Sequence, residues 1–253
     1  MRAVILAAGR GSRLMPFTAD RPKCLVEIGG RTLLQRHTEA LGAAGAEEIG
    51  VVAGWHAEAF EGTGPRVFVN PRWAGTSMAE SLAAADPWLR DGPVLVAYGD
   101  IVYAPATARA LAAADAALAI AYDPHWHDLW SRRFADPLDD AETFAHRDGR
   151  LLDIGGRPRT TAEVQGQYMG LLRITPPAWE TIRRARAADP RTAALDMTGL
   201  LRHLVRGRLL EVATVPADGP WCEFDHPSDI AVGRHVLRAL DAGTGRTTER
   251  TGA

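Results

Sequence analysis

Residues 2–14 read RAVILAAGRGSRL, a short apolar run that ends in a loop rich in glycine and arginine. An apolar run of this length that is closed by glycine is typical of a buried parallel strand. Gly9 and Gly11 allow the backbone to approach a ligand closely, and consecutive N–H groups in such a loop form a concave site for phosphate oxygens. The stretch therefore predicts a strand that delivers a phosphate-binding loop, where Arg10 and Arg13 add positive charge.

The loop differs from two common glycine-rich motifs. Leu14 stands where a dinucleotide-binding G-x-G-x-x-G motif has its third glycine, and the G-K-[ST] sequence of a P-loop is absent. A tight turn after a strand would explain the two glycines about as well as phosphate binding does. The phosphate-binding interpretation therefore depends on Arg13 and on the nearby Pro22–Lys23 pair.

Lys23 is exceptional in this chain, because it is the only lysine among 29 lysine and arginine residues. Lysine presents a compact and mobile point charge, whereas arginine presents a rigid planar fork. A site that needs a point charge at a phosphoryl group would resist the exchange to arginine. The simpler alternative is a lysine that has survived on the surface by chance.

Strands and helices alternate along the rest of the chain. Predicted strands comprise residues 2–8, 49–53, 66–70, 93–98, 116–122, 167–174 and 209–215, and predicted helices comprise residues 32–44, 78–85, 105–114, 178–188, 197–206 and 227–240. This alternation predicts a mostly parallel sheet with helices on both faces. We expect residues 1–240 to form a single domain, residues 123–166 to be a small insertion or lid within it that carries substrate specificity, and residues 241–253 to be a disordered tail.

The composition argues against several classes of protein. A net charge of -2 gives no basis for bulk attraction to nucleic acid or to a membrane. Cys24 and Cys222 are too few for a disulfide framework, and the apolar start is too short for a signal-peptide core or a membrane span. We expect a cytoplasmic protein whose partners are small molecules, and the sequence leaves its oligomeric state open.

Two aspartates are candidate metal ligands. Asp100 ends the stretch VLVAYGD (94–100), and the carboxyl end of a buried strand is where α/β sheets bind their ligands. Asp225 lies in WCEFDHPSDI (221–230), directly before a helix that Pro227 begins. Because Mg²⁺ uses one or two carboxylates together with substrate phosphates, these two residues could hold it, with Glu223 as the rival for the second position. A turn or helix-terminus role is the alternative for both aspartates.

Residues 6–34, LAAGRGSRLMPFTADRPKCLVEIGGRTLL, closely resemble the N-terminal signature of the nucleotidyltransferases that activate sugar phosphates and small phosphorylated alcohols. Stretches at 70–82, 96–103, 136–143 (DPLDDAET) and 165–174 resemble, within that superfamily, the cytidylyltransferases that act on phosphocholine and on phosphonates. The resemblance implies a Rossmann-like three-layer α/β/α fold with a mixed, mostly parallel sheet. It also implies a reaction in which CTP and a small phosphonate or a phosphorylated alcohol give a CMP-linked product and pyrophosphate, with Mg²⁺ as cofactor.

The same resemblance implies roles for individual residues. Asp100 and Asp225 would hold Mg²⁺, Arg13 would stabilise the departing pyrophosphate, and Lys23 would lie between the α-phosphate and the acceptor. Expected nucleotide-binding residues are Leu6, Ala7 and Ala8 at the base, Gly9, Arg10, Gly11 and Ser12 at the triphosphate, and Ser77, Met78 and Ser81 near the base and ribose. For the last three residues, helix capping and packing is an equally good explanation.

The sequence is compatible with two kinds of acceptor, one cationic and one anionic in its non-phosphorus group. A choline or aminoethyl group would call for aromatic faces and carboxylates, which Trp126, Trp130, Tyr168, Trp221, Asp123, Asp128 and Asp136 could supply. A carboxylated phosphonate such as phosphonoformate would instead call for Arg132, Arg133, Arg157 or Arg159. The candidate acceptor-binding residues are Trp126, Trp130, Arg132, Arg133, Gln167 and Tyr168. We lean towards a small phosphonate.

Two alternatives to a cytidylyltransferase are considered. The first keeps the chemistry but changes the substrates, giving a sugar-1-phosphate nucleotidyltransferase that uses UTP, GTP or dTTP. The second is a catalytically silent nucleotide-binding subunit, against which the presence of Arg13, Lys23, Asp100 and Asp225 argues.

Overall fold

A computed structural model of the chain describes residues 1–243, except the side chain of Pro190. The strands of this part are β1 (Arg2–Ala7), β2 (Glu27–Ile28), β3 (Arg31–Thr32), β4 (Glu48–Ala53), β5 (Arg66–Val69), β6 (Val94–Tyr98), β7 (Ile101–Tyr103), β8 (Leu118–Asp123), β9 (Phe144–Arg147), β10 (Arg150–Ile154), β11 (Gln167–Ile174), β12 (Val212–Pro216) and β13 (Trp221–Glu223). Its helices are α1 (Leu33–Ala43), α2 (Met78–Leu82), α3 (Asp86–Asp91), α4 (Pro105–Ala112), α5 (Trp126–Arg133), α6 (Pro176–Ala188), α7 (Pro190–Ala193), α8 (Met197–Arg206) and α9 (Asp229–Gly243).

Nine strands form a central sheet in the order β5-β4-β1-β6-β11-β8-β12-β10-β9. β1 pairs in parallel with β4 on one side and with β6 on the other, so that Leu6 is in register with both Val52 and Tyr98. β10 and β11 run antiparallel to their neighbours. The mixed, mostly parallel sheet that the sequence predicts is therefore confirmed, and its register brings the loop after β1 beside the residues that follow β6.

Helices cover both faces of this sheet, which gives the predicted three layers. Ala3, Ile5 and Ala7 of β1 pack in the core with residues of α1, α4 and α5, whereas Val4 and Leu6 pack on the other face with residues of α3, α6 and α8. The uninterrupted apolar run of β1 is explained by this arrangement, since both faces of the strand are buried. Full burial of each aliphatic side chain contributes about 1.5–3 kcal/mol.

The segment 123–166 contributes to the core as well as to the surface. Its β9–β10 hairpin extends the edge of the central sheet, and Phe144, Leu151 and Ile154 are part of the main hydrophobic core. The segment thus contributes to the core, whereas we expected an insertion that only carries substrate specificity.

The end of the chain departs slightly from expectation. Residues 241–243, which we expected in the disordered tail, continue α9 as far as Gly243. Residues 244–253 lie outside the described residues. Within residues 1–243, no helix combines the length and the hydrophobicity needed to cross a lipid bilayer.

A small second sheet brings the two candidate aspartates together. β13 pairs antiparallel with β7, which follows Asp100, and Glu223 is opposite Ile101. The backbone N–H of Phe224 donates to the carbonyl oxygen of Asp100 at 2.8 Å. Asp225, although 125 positions away in the sequence, therefore lies beside Asp100 at the carboxyl end of β6.

Candidate active site

The loop after β1 lines a cavity at the carboxyl ends of β1 and β6, which we call the loop pocket. Gly11 has a φ of 65°, and a Cβ at this position would lie 3.1 Å from the Cβ of Lys23, so a side chain would be both strained and crowded. The buried Thr18 fixes the loop by donating a hydrogen bond from Oγ1 to the carbonyl oxygen of Gly11 at 2.8 Å. The loop pocket is lined by Leu6, Ala7, Gly9, Gly11, Ser12, Arg13, Lys23, Cys24, Met78, Gly99, Asp100 and Asp225.

Lys23 lies at the centre of the charges in the loop pocket. Its Nζ donates to Asp100 Oδ2 at 3.0 Å and to Asp225 Oδ1 at 2.5 Å, while Arg13 Nη2 lies 2.5 Å from Asp225 Oδ2. Burial lowers the pKa of Lys23, but the two aspartates outweigh burial and raise it above its ordinary value. The side chain is therefore an ammonium, and its charge holds together two carboxylates that would otherwise repel each other.

Three carboxylates around Lys23 have the arrangement of a divalent-cation site. Asp100, Glu223 and Asp225 each offer an oxygen within 4.8 Å of the others. The buried Oδ1 of Asp100 has no hydrogen-bond partner among the described residues, which leaves it available as a ligand. Hard cations such as Mg²⁺ prefer oxygen donors of this type, so the residues fit the expected metal.

Glu223 and Asp225 differ in which cavity they face. Asp225 lines the loop pocket and also the adjoining cavity, whereas Glu223 lines only the adjoining one. Burial raises the pKa of Glu223 to about 7 and the nearby Asp100 adds to this, although Arg133, whose Nη1 lies 3.1 Å away, lowers it. The position of Asp225 favours it over Glu223 as the partner of Asp100.

Asp229 fixes the position of Asp225, and the sequence patterns do not single it out. Its Oδ2 accepts the backbone N–H groups of Asp225 and His226, both at 2.8 Å, at the start of α9. The guanidinium of Arg133 donates to both of its oxygens, at 3.0 and 3.2 Å. Because Arg133 and Asp229 are 96 positions apart, only the spacing of Asp229 four residues after Asp225 could have indicated a local capping role.

A second cavity, which we call the acidic pocket, adjoins the loop pocket, and the two share Arg13, Met78 and Asp225. Its volume is about 1000 Å³, including the part open to solvent. Carboxylates and aromatic rings make up much of its wall. The acidic pocket is lined by Arg13, Met78, Tyr98, Ile101, Trp130, Asp140, Glu142, Gln167, Tyr168, Met169, Gly170, Asp196, Met197, Thr198, Trp221, Glu223 and Asp225.

Most of the expected nucleotide-binding residues reach the loop pocket. Those that line it are Leu6, Ala7, Gly9, Gly11, Ser12 and Met78, together with the expected catalytic residues Arg13 and Lys23. Ala8 does not line it, and its carbonyl oxygen accepts the backbone N–H of Trp55 at 3.0 Å.

Three other expected nucleotide ligands have structural partners instead. Arg10 stacks on the ring of Trp55 at 3.7 Å and donates to the carbonyl oxygen of Thr18, so its charge does not line the loop pocket. Ser77 caps α2 by accepting the N–H of Glu80, and the buried Ser81 donates to the carbonyl oxygen of Ser77. For the two serines, the capping and packing explanation fits these contacts.

The expected acceptor-binding residues divide in the same way. Trp130, Gln167 and Tyr168 line the acidic pocket, whereas Trp126 is buried outside its wall and donates from Nε1 to the carbonyl oxygen of Val164. Arg132 is exposed and lines neither pocket, and Arg133 is buried in its ion pairs with Asp229 and Glu223. Of the three aspartates considered for a cationic acceptor, Asp123, Asp128 and Asp136, none lines the acidic pocket.

Besides Glu223 and Asp225, three carboxylates that the sequence did not identify as ligands line the acidic pocket. Asp140 and Glu142 follow α5, and Asp196 precedes α8. The first two lie in DPLDDAET, one of the stretches that resemble the cytidylyltransferases. The resemblance of that stretch could have pointed to Asp140 and Glu142, but its sequence does not indicate which of its acidic residues face a cavity.

Comparison with known proteins places these features in a family. A family model described as a MobA-like NTP transferase domain matches residues 3–169. The chain is 33% identical over 250 residues to a CTP:phosphoglutamine cytidylyltransferase of Campylobacter jejuni, covering 92% of this chain and 98% of that protein. It is 30% identical over 231 residues to an N-acetylmuramate α-1-phosphate uridylyltransferase of Caulobacter vibrioides, covering 80% of this chain and 90% of that protein.

A solved structure shows the same fold. The inositol-1-phosphate CTP transferase from T. maritima superposes with a TM-score of 0.76 over 96% of both chains, at 18% sequence identity. The Rossmann-like α/β arrangement is therefore confirmed by an independent structure.

Proposed function

The chain belongs to the MobA-like NTP transferase family, and we propose that it is a cytidylyltransferase that transfers the CMP group of CTP to a phosphorylated or phosphonylated small molecule. An acceptor oxygen forms a bond to the α-phosphorus, the bond from that phosphorus to the bridging oxygen breaks, and pyrophosphate leaves with the electron pair. The observation that carries the proposal is the cluster of Lys23, Asp100 and Asp225, which lies where the loop pocket and the acidic pocket meet.

Asp100 and Asp225 would hold Mg²⁺ in this enzyme. The unpartnered Oδ1 of Asp100 and the three carboxylates within 4.8 Å support this assignment. When bound, the ion would neutralise phosphate oxygens and help to align the reacting groups.

Lys23 would bring the two anionic substrates together. Its ammonium lies in the loop pocket beside Asp225, the aspartate that also faces the acidic pocket, so the charge is close to the place where the two substrates would meet. A lysine can follow the negative charge as it moves from the α-phosphate to the leaving group, because its head group is compact and mobile. This accounts for a lysine at the one position where arginine has not replaced it.

Arg13 and the loop would bind the triphosphate. The side chain of Arg13 is 63% exposed and lines both pockets, so it is accessible to the pyrophosphate that leaves. Gly9 has no atom within 4 Å of the place where a Cβ would be, which leaves room for a phosphate beside its backbone. Leu6, Ala7 and Met78 would contact the nucleoside part of CTP.

A sugar-1-phosphate uridylyltransferase is the second candidate, because the C. vibrioides relative has that activity by name and shares 30% identity over most of its length. The two candidates differ in both substrates, so one assay separates them.

The test is pyrophosphate release with Mg²⁺, measured for CTP, UTP, GTP and dTTP against 2-aminoethylphosphonate, phosphocholine, phosphonoformate and glucose 1-phosphate. We expect turnover that is confined to CTP and to at least one of the phosphonate and phosphocholine acceptors, and that stops when the metal is chelated. Turnover with UTP and the sugar phosphate would favour the second candidate. Nucleotide binding without turnover would contradict both.

A further inference from the structure

The acidic pocket is the place for the second substrate, if the loop pocket binds CTP as proposed. The two cavities meet at Arg13, Met78 and Asp225, directly beside Lys23. A phosphoryl or phosphonyl group that reaches Lys23 from this side would leave the rest of the acceptor inside the acidic pocket. The residues that line this pocket therefore indicate which chemical groups the acceptor carries.

The charges of the wall are strongly unbalanced. Arg13 is the one cation that lines the acidic pocket within residues 1–243, and it already pairs with Asp225. Asp140, Glu142 and Asp196 face the same cavity and have no cationic group within 4 Å in the described part of the chain, although Asp196 also caps α8 by accepting the backbone N–H of Gly199 at 2.8 Å. A ligand with positive charge would balance them.

Glu142 is the best placed of the three to bind such a charge. It is half-buried, and its one side-chain hydrogen bond in the described residues comes from Thr198 Oγ1 at 3.2 Å. Burial raises the pKa of Glu142, and the neighbouring Asp196 and Asp140 raise it further, although the hydrogen bond from Thr198 and the charge of Arg202 lower it. Clustered carboxylates of this kind are costly to hold ionised without a counter-charge, and a cation in the pocket would relieve the cost.

An independent observation also points to a ligand in this cavity. Trp130 is 3% exposed and lines the acidic pocket, yet its indole Nε1 has no hydrogen-bond partner among the described residues. A buried indole N–H usually finds an acceptor. An oxygen of a bound acceptor would satisfy it, and the rings of Tyr98, Tyr168 and Trp221 complete an apolar wall for a short alkyl chain.

The arginines that a carboxylated acceptor would need are elsewhere. Arg132, Arg157 and Arg159 are exposed and line neither pocket. Arg133 is buried, with its guanidinium bonded to Asp229 and Glu223. A carboxylate on the substrate would thus find one cation among the described residues that line the acidic pocket, Arg13, which already pairs with Asp225.

We propose that the acceptor carries a protonated amine in addition to its phosphoryl or phosphonyl group, and that Glu142, assisted by Asp140 and Asp196, binds this amine. The inference rests on the proposed cytidyl transfer and specifies its second substrate. It excludes phosphonoformate and other carboxylated phosphonates as good acceptors.

The test compares three acceptors of similar size that differ in charge. These are 2-aminoethylphosphonate, its isostere propylphosphonate, whose tail carries no charge, and phosphonoacetate, whose tail is a carboxylate, each assayed with CTP and Mg²⁺ in the wild type and in Glu142→Gln. We expect kcat/KM for the amine to exceed that for propylphosphonate by at least about tenfold, the size of one charge-assisted hydrogen bond. Glu142→Gln should reduce that ratio about tenfold, mainly by raising KM for 2-aminoethylphosphonate.

Two further variants support the comparison. Asp140→Asn removes a charge from a side chain that makes no hydrogen bond within residues 1–243, so the variant should fold normally. It should lower the ratio of kcat/KM between the amine and propylphosphonate, as Glu142→Gln does. Asp128→Asn removes the same charge from the exposed side of α5, outside both pockets, and should leave the ratio as it is.

The outcomes distinguish this inference from the function on which it rests. Equal or better turnover of propylphosphonate or phosphonoacetate in the wild type would overturn the inference and leave cytidyl transfer intact. An unchanged ratio in both Glu142→Gln and Asp140→Asn would overturn the assignment of the amine to these carboxylates. Absence of turnover with every acceptor and nucleotide would contradict the proposed function, and the inference with it.

Discussion

Lys23 illustrates what a single residue contributes to this site. Its ammonium is placed between Asp100 and Asp225 by a short helical turn, Lys23–Leu25, that begins directly after Pro22. The rarity of lysine in the chain is enough to single out this residue from the sequence alone. Arg10, by contrast, was expected to bind a phosphate. It stacks instead on the ring of Trp55, which is 45 positions away in the sequence.

Substitution of Lys23 tests its role directly. We expect Lys23→Ala and Lys23→Arg each to lower kcat by at least about 100-fold, because a preorganised charge at the reacting phosphates is lost or misplaced. Lys23→Arg retains the positive charge near the aspartates, so its thermal stability should remain closer to that of the wild type than the stability of Lys23→Ala. Steady-state kinetics with CTP and a thermal unfolding curve provide the two readouts.

Arg21→Ala is the matched control for this experiment. Arg21 is exposed two positions before Lys23 and pairs only with Asp20 among the contacts of its side chain in the described residues, so its loss should leave kcat unchanged. Near-wild-type turnover in Lys23→Arg would show that a point charge is not required here.

Contacts between elements, rather than any one element, hold the carboxylates of the site. Arg133 at the end of α5 connects β13, through Glu223, to α9, through Asp229, and Asp229 in turn accepts the N–H of Asp225. The periodicity of the sequence predicted α9 and its approximate start. It could not predict this network, because a buried arginine and an exposed one look alike in a sequence.

Asp229→Asn should destabilise the protein by about 3–5 kcal/mol, since it leaves the buried guanidinium of Arg133 with Glu223 as its one remaining carboxylate partner in the described residues. Asp128→Asn, on the exposed side of α5, should cost less than about 0.5 kcal/mol. Urea unfolding at pH 7 measures both free energies. A cost below about 1 kcal/mol for Asp229→Asn would contradict the structural role of this pair.

The same pair predicts a pH dependence. Burial raises the pKa of Asp229, but Arg133 and the backbone N–H groups outweigh burial and lower it. The stabilisation by Asp229 is therefore complete above the pKa of an unfolded aspartate, about 3.9, and is lost as the pH falls through the lower pKa of the folded state. The difference in unfolding free energy between the wild type and Asp229→Asn should thus be constant above about pH 5 and shrink below about pH 4.

At the scale of the whole molecule, the fold aligns two cavities with different chemistry. The buried parallel strands determine where the loop after β1 and the residues after β6 meet. The sequence pattern predicted the alternation of these strands with helices. The loop pocket was largely predictable, because its residues come from one contiguous motif and from two strand ends. The acidic pocket was not, because Glu142, Asp196 and Trp221 come from segments far apart in the chain and meet only after folding.

In the proposed reaction, CTP and an acceptor phosphonate are joined where these two cavities meet. The most direct measurement is ³¹P NMR of the wild-type enzyme with CTP, Mg²⁺ and 2-aminoethylphosphonate. We predict a new pair of coupled phosphorus signals from a phosphonate–phosphate anhydride, which appears together with an equal amount of pyrophosphate. CTP that remains intact, or that is hydrolysed to CMP and pyrophosphate while the phosphonate signal does not change, would contradict the account.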